Sequence, residues 1–478
     1  MAGRGSPSAP APGEVAPPAP DAAALLRRNA ADPDIAPRRA VLFGDRVWTH
    51  GEYVAESTRW ANLFRSLAEP GRPLHAGVLL DNTPDYLFAF GGAALSGATV
   101  VGLNHTRHGE HLLRDLTHTD VGFLVTEPGH AGVVEPLLGD LPFAHDRVLV
   151  SRRHPREGDP EVSFGRDLDD VLAGVSADDP GVEPDPSSPW AFIFTSGTSS
   201  APKAVICSQR RLLGTGARMG LILGIGPDDV GYVCMPLFHS NAVMVGWAPS
   251  IVHGAAVGLA RRFSASGWLA DVRRYGATWF NYTGKPLSYL VGTPEQPDDA
   301  DNLLRIAFGN EGSPEVVETF ARRFDVEVID AFGATEGGIA VSRDVPDKPG
   351  SMGLRGENVR IVDEHGSRAA PRAVRRPGAI GESRRVCRRD RERRWRRAVR
   401  GLLQQSRGHR ADDPERLVLE WRSRVSRRGP LPLLRRPQRR LDPRRRGELP
   451  GGSDRERGHG PSRRRRRYGV RRARRARR

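Results

Sequence analysis

Residues 194–203 read FTSGTSSAPK, and side chains of these types can wrap a polyphosphate. Small residues let backbone N–H groups come close to phosphate oxygens. The hydroxyls of Thr195, Ser196, Thr198, Ser199 and Ser200 add donors beside the point charge of Lys203. The implied chemistry is that of ATP. The loop is not a Walker A motif, which needs G-x-x-x-x-G-K-[ST]; here Gly197 is the only glycine and Ala204 follows Lys203. A Ser/Thr-rich surface turn with a solvated lysine has the same composition, so the flanks must decide. The apolar run 190–194 predicts a buried strand and 204–206 predicts another, which places the loop between two strands at a sheet edge.

The elements that must carry such a loop alternate between strand-like and helix-like segments from 21 to about 363. Residues 75–80, 98–103 and 121–125 are β-rich and apolar, and 84–96 is an apolar helix opened by Pro84, so a strand, helix, strand unit recurs over short links. Pro- and acid-rich stretches at 156–160 and 177–189 predict surface linkers, the second leading into the phosphate loop. No internal repeat is found. The longest apolar stretch, 87–103, is broken by Gly91, Gly92, Ser96 and Gly97 and is too short for a transmembrane helix. Residues 1–20 are Ala/Pro/Gly-rich without an apolar core segment and predict a disordered leader rather than a signal peptide.

Charge divides the chain sharply. Residues 371–478 hold 40 Arg, no Lys and 11 Asp plus Glu, a net of +29, which leaves −13 on residues 1–370 out of the total of +16. The basicity that would suggest a nucleic-acid partner therefore belongs to the tail alone. Cys207, Cys234 and Cys387 stand at neither metal-ligand nor disulfide-framework spacing, which fits a reducing compartment, and the expected location is the cytoplasm.

Three ordered motifs carry a family resemblance. They are the loop 194–203, the segment 235–240 (MPLFHS) and the segment 330–338 (DAFGATEGG). Together they resemble the adenylate-forming (AMP-binding) superfamily of acyl-CoA synthetases, luciferases and peptide-synthetase adenylation domains, over about residues 22–367. Residues 280–285 (FNYTGK), 308–312 (FGNEG) and 332–336 (FGATE) are similar to the very-long-chain acyl-CoA synthetase and fatty-acid transport protein group. The resemblance implies an α/β protein with two doubly wound sheets and a small β-barrel part in domain 21–367, and a long-chain fatty acid–CoA ligase using ATP, Mg²⁺ and CoA.

It also implies roles. Thr195, Ser196, Gly197, Thr198, Ser199, Ser200 and Lys203 would close over the β and γ phosphates, with Thr335 donating to a phosphate oxygen. Glu336 would hold Mg²⁺, a hard cation that takes oxygen ligands. Gly309, Asn310, Glu311 and the following Gly312 would approach the adenine, with Phe332 and Gly333 beside it, and His239 would gate or orient the carboxylate. Lys203, Thr335, Glu336 and His239 are thus the expected catalytic set. Residues 242–259 could line an acyl tunnel, although their composition equally suits plain core. The partners implied are small molecules, with peripheral membrane contact allowed and no nucleic acid expected. A carrier protein could replace CoA as acceptor; residues 238–243 lack the acid that would meet an amino-acid ammonium group.

After Asp363 the resemblance stops, and residues 368–478 form an Arg-rich tail with too little apolar surface to offset chain entropy. A one-nucleotide shift accounts for it. If each codon is read one base later, only the old wobble base is free. Residues 402–408 (LLQQSRG) then back-read as YYNNPEA, 417–425 (LVLEWRSRV) as WYWSGDLGY, and 434–455 as FAGRNADWIRVDGENFPAGPIE. These resemble the continuation of the family, with its ribose-binding Asp, its hinge and the start of its small C-terminal domain. A shift beginning between about 366 and 371 would give a G/C-rich gene its excess of CGN arginine codons and no lysine. The expectations are a disordered tail, no small C-terminal domain and an impaired ligase, with Arg422 near the place of the ribose-binding Asp. An alternative is a genuine Arg-rich arm binding RNA or DNA by counterion release, without the interleaved aromatics that stack on bases.

Overall fold

The computed structural model describes residues 17–195 and 203–333, with the backbone of four short strands at 340–342, 354–355, 359–362 and 385–388. The chain divides into two units, 1–428 and 429–478, and every described residue lies in the first.

The strands are β1 (Arg39–Phe43), β2 (Arg46–Thr49), β3 (His75–Leu79), β4 (Thr99–Gly102), β5 (Phe123–Thr126) and β6 (Val148–Val150). They continue with β7 (Arg166–Asp167), β8 (Pro189–Thr195), β9 (Lys203–Ser208), β10 (Val230–Val233), β11 (Ala256–Leu259) and β12 (Trp279–Thr283). The remainder are β13 (Ile306–Asn310), β14 (Glu327–Gly333), β15 (Ala340–Ser342), β16 (Leu354–Arg355), β17 (Val359–Val362) and β18 (Arg385–Arg388). One sheet runs β7-β6-β5-β3-β4-β8-β9 and is parallel except for β9, which returns antiparallel to β8 at the edge. The other runs β16-β15-β14-β13-β12-β10-β11-β1-β2, with a parallel centre and antiparallel margins. The α/β expectation holds as two mixed sheets. Outside the two large sheets the described residues hold the antiparallel pair β17–β18, and the expected barrel part is a proposal.

Local sequence explains why the first sheet forms. The helix Pro84–Ser96 between β3 and β4 begins on proline, where a missing N–H costs nothing, and ends on Gly97 at φ 73°, a left-handed cap that suits glycine. All of its residues are buried. It packs on the helix His50–Ser66, which a capping box between Thr49 and Glu52 initiates. The glycines that interrupt this apolar stretch permit the contact. A Cβ on Gly91 would lie 2.1 Å from Ser57 Oγ, and one on Gly92 would lie 2.7 Å from Trp60 Cβ. Among described residues no helix is long and apolar enough to cross a membrane.

Residues 242–259 are almost all buried, as core requires. Asn241–Trp247 is a π-helical segment, a widened turn frequent at functional sites, followed by the helix Ala248–His253 and by β11. Trp247 stacks on Trp190 at 5.7 Å and on Phe90 at 5.5 Å, joining the two sheets through one aromatic cluster.

The tail lies outside the described residues except for β18. Its Arg385–Arg388 pairs with Val359–Val362, so at these four residues a strand stands where disorder was expected. Val386 and Cys387 supply enough local β preference for one short pairing.

Candidate active site

Two sheet edges present the sequence-predicted residues. On the first sheet, Thr195 and Lys203 face each other across the β8–β9 ladder, so the ends of the loop 194–203 are in register as the flanking runs predict. Residues 196–202 lie outside the described residues, which removes Ser196, Gly197, Thr198, Ser199 and Ser200 from structural test. The Thr195 hydroxyl oxygen is buried and without a hydrogen-bond partner among the described residues. A buried orphan donor at the foot of this loop fits a phosphate oxygen.

On the second sheet, β10, β12, β13 and β14 are neighbours, and their carboxyl ends carry the other candidates. This is the edge where open α/β sheets bind ligands. Gly309 and Asn310 close β13, opposite Tyr282 and Thr283 of β12. Glu311 follows in the left-handed region at φ 66°. The Asp330 carboxylate of β14 fastens this turn, accepting from the Gly312 N–H at 2.8 Å and from the Tyr282 hydroxyl at 3.0 Å. Asp330 was legible only as the first letter of a motif; its stapling role needed the β13–β14 register. Phe332 and Gly333 end β14, while Thr335 and Glu336 lie outside the described residues.

Close approach makes glycine obligatory here. A Cβ on Gly284 would stand 1.9 Å from the Glu311 carbonyl oxygen, and one on Gly309 would stand 2.4 Å from that of Tyr282. Gly284→Ala is therefore expected to cost about 1–3 kcal/mol through displaced backbone. By contrast Gly214→Ala, which meets open space inside the helix Gln209–Leu223, should stabilise by about 0.5–1 kcal/mol. Urea unfolding of the two variants checks the opposite signs.

His239 follows β10 in the turn at residues 235–239, its N–H donating to the Pro236 carbonyl at 2.9 Å. Its ring is exposed, yet enough protein surrounds it for desolvation to lower its pKa, so it is neutral at neutral pH. The Phe238 ring lies 4.5 Å from it. Beyond the turn, the Asn241 amide donates to the Tyr282 carbonyl at 3.1 Å and accepts from Asn281 at 2.6 Å, tying the π-helical segment to β12.

Behind this turn lies a charged cluster that motif reading missed. Asp81, fully buried just beyond β3, accepts from Arg156 at 3.0 Å and from both Nε and Nη2 of Arg262 at 3.0 Å. His130 Nε2 lies 3.3 Å from Asp81 and 3.4 Å from Glu127, and Arg261 meets Glu127 at 2.8 Å. His105 stacks on His130 at 5.2 Å and sets its edge against Phe238 at 5.3 Å. Asp81, His105 and His130 have metal-ligand proximity, but three guanidinium groups already neutralise the carboxylates, so the set reads as an ion-pair network.

Burial alone would lower the His130 pKa, but the facing Asp81 and Glu127 carboxylates raise it. A raised folded value contributes stability that is complete below the unfolded value of about 6.5 and is lost as pH rises through the folded one. His130→Gln should thus cost about 1–3 kcal/mol in mild acid and progressively less in alkali. Urea midpoints of both proteins across pH check the trend.

Comparisons with known proteins agree with this geometry. The family described as AMP-binding enzyme matches residues 27–382. A medium/long-chain-fatty-acid–CoA ligase of Mycobacterium tuberculosis is 42% identical over 348 residues, covering 72% of this chain and 64% of the relative. Long-chain fatty acid transport protein 2 of Rattus norvegicus is 32% identical over 336 residues, covering 68% of this chain and 52% of the relative. The chain thus spans less than two thirds of the length of these relatives. Among solved structures, an anthranilate CoA ligase in complex with anthranoyl-AMP superposes with a TM-score of 0.64 at 20% identity, covering 73% of this chain and 67% of that one, which supports the fold. The strand-end site and the family match together place the chain in the AMP-binding enzyme family.

Proposed function

We propose that the protein of this gene activates a medium- or long-chain fatty acid as its adenylate and passes the acyl group to CoA. The observation that carries this reading is the 42% identity to a fatty-acid–CoA ligase across the region holding both site edges. In the first step a carboxylate oxygen attacks the α-phosphorus of ATP, the bond to the β-phosphate oxygen breaks, and pyrophosphate leaves. In the second the CoA thiolate attacks the acyl carbonyl and AMP leaves.

The chain's own groups divide this work. Thr195 and Lys203, with the hydroxyls of residues 196–200, hold the departing pyrophosphate charge. The turn at residues 309–312 takes the adenine, with Phe332 and Gly333 on the adjacent strand, and Thr335 donates to phosphate. Neutral His239 orients the carboxylate. The donor set suits Mg²⁺ where Glu336 offers a carboxylate, and the ion would neutralise phosphate charge when bound. Acyl chain length is set by the wall at residues 242–259. The work is cytoplasmic, with the fatty acid drawn from a membrane surface by peripheral contact.

Residues 368–478 as written supply neither the ribose-binding Asp nor the catalytic lysine of the family, in keeping with the back-read strings. Pyrophosphate release is measured with saturated fatty acids of increasing length, followed by thioester formation with CoA and with a holo carrier protein. A length-dependent signal with CoA supports the reading, a carrier-protein product alone moves it to acyl-AMP ligase chemistry, and no acid-dependent release from the in-frame protein overturns it.

A further inference from the structure

We infer that Asn82 is the positioning residue for His239, a role that rests on reading the turn at residues 235–239 as the holder of the acyl carboxylate. Asn82 is only 4% exposed, at the carboxyl end of the helix-linked β3. Its amide nitrogen donates to the Met235 carbonyl at 2.9 Å and the Ala260 carbonyl at 3.2 Å, and its amide oxygen accepts from the Leu237 N–H at 2.9 Å. Its own backbone N–H donates to Arg261 at 3.3 Å.

These bonds do more than fill a cavity. Met235 and Leu237 both precede His239 in one short turn, and Ala260 follows β11, the neighbour of β10. A single side chain from the first sheet thus sets the path by which the turn leaves the second. All three functional atoms of the amide are satisfied, so no apolar residue of similar volume can replace it without leaving a buried N–H and two carbonyls unpaired. Weaker restraints on the turn are the edge of His105 against Phe238 and the Thr283 hydroxyl, which donates to the Met235 sulfur at 3.8 Å. The adenine turn at residues 309–312 hangs on Asp330 rather than on Asn82. Loosening Asn82 should therefore disturb the acyl end of the site and spare the nucleotide end.

The test uses the full-length in-frame product, in which the ribose-binding Asp is expected, with AMP and a long-chain acyl-sulfamoyl adenosine as probes in calorimetric titration. Asn82→Ala should weaken the acyl-sulfamoyl adenosine by about tenfold or more while AMP stays within about twofold, a split that a general loss of structure would not produce. Hydrogen exchange at residues 235–239 should rise in the same variant. His105→Ala, at a half-buried position tolerant of truncation, should give a smaller loss of the same selective kind. Equal weakening of both probes, or exchange that rises without any selective loss, overturns the inference. A parent chain that binds neither probe overturns the reading of the site and the inference with it. Failure of the inference alone is distinct, because the parent then binds both probes.

Discussion

Asp81→Ala should be among the most destabilising single substitutions in the described residues, lowering the unfolding free energy by roughly 3–5 kcal/mol. The carboxylate is fully buried, and its removal takes one of two carboxylate partners from each of Arg156 and His130, leaving them Asp159 and Glu127. Arg262 contributes less to this penalty because its side chain is 55% exposed and can return to water. Burial alone would raise the Asp81 pKa, but the hydrogen bonds from His130 and Arg262 and their charges hold it well below the usual carboxylate range. Its stabilisation is therefore complete above the ordinary carboxylate value of about 3.9 and is lost as pH falls through the depressed folded value. The variant's deficit should be full at neutral pH and should narrow only in strong acid. Urea unfolding of parent and variant measures it. A deficit near zero at neutral pH would mean that the cluster is solvated and carries no stability. Adding Arg262→Ala to the variant should cost little more, since the two residues share one interaction.

The largest effect on activity is expected from the reading frame beyond residue 366. The chain as written should form acyl-CoA at least about a thousandfold more slowly than the product read one base later, a loss on the scale of removing a principal charge-stabilising group. The physical basis is chemical: a lysine that meets developing charge as a compact point charge is not replaced by the planar guanidinium of an arginine, and the 40 arginines of residues 371–478 are accompanied by no lysine. Both products are expressed and assayed for thioester formation with the same fatty acid. Comparable rates would reject the frame account and make the Arg-rich tail a functional part of the enzyme. Mass spectrometry of the native protein supplies the complementary result, with peptides containing WYWSGDLGY on one outcome and peptides from residues 417–422 as written on the other.

Much of the candidate site could be proposed from sequence because the chemistry expected of it is local. A phosphate loop needs small residues, hydroxyls and a lysine in succession, and the run from Thr195 to Lys203 states them in order. The apolar runs on either side were enough to predict the hairpin β8–β9, since a two-strand edge requires only alternation and a turn. The helix Pro84–Ser96 was equally open, with proline at one end and glycine at the other. His239 was found through its motif, and its exposed, neutral state followed only from the fold.

What the sequence by itself determined was the α/β alternation, the order of the motifs and the kind of chemistry, because period, capping and loop composition act within a few residues of chain. The tertiary structure alone decided which distant groups meet. Asp81 and Arg262 are 181 positions apart, and Asn82 reaches Leu237 across 155. No local pattern encodes such pairs, because a buried carboxylate or amide is tolerable only once the fold has delivered its partners. Asp330 under the turn at residues 309–312 and the glycine contact at Gly284 belong to the same class, set by strand register rather than by neighbouring letters.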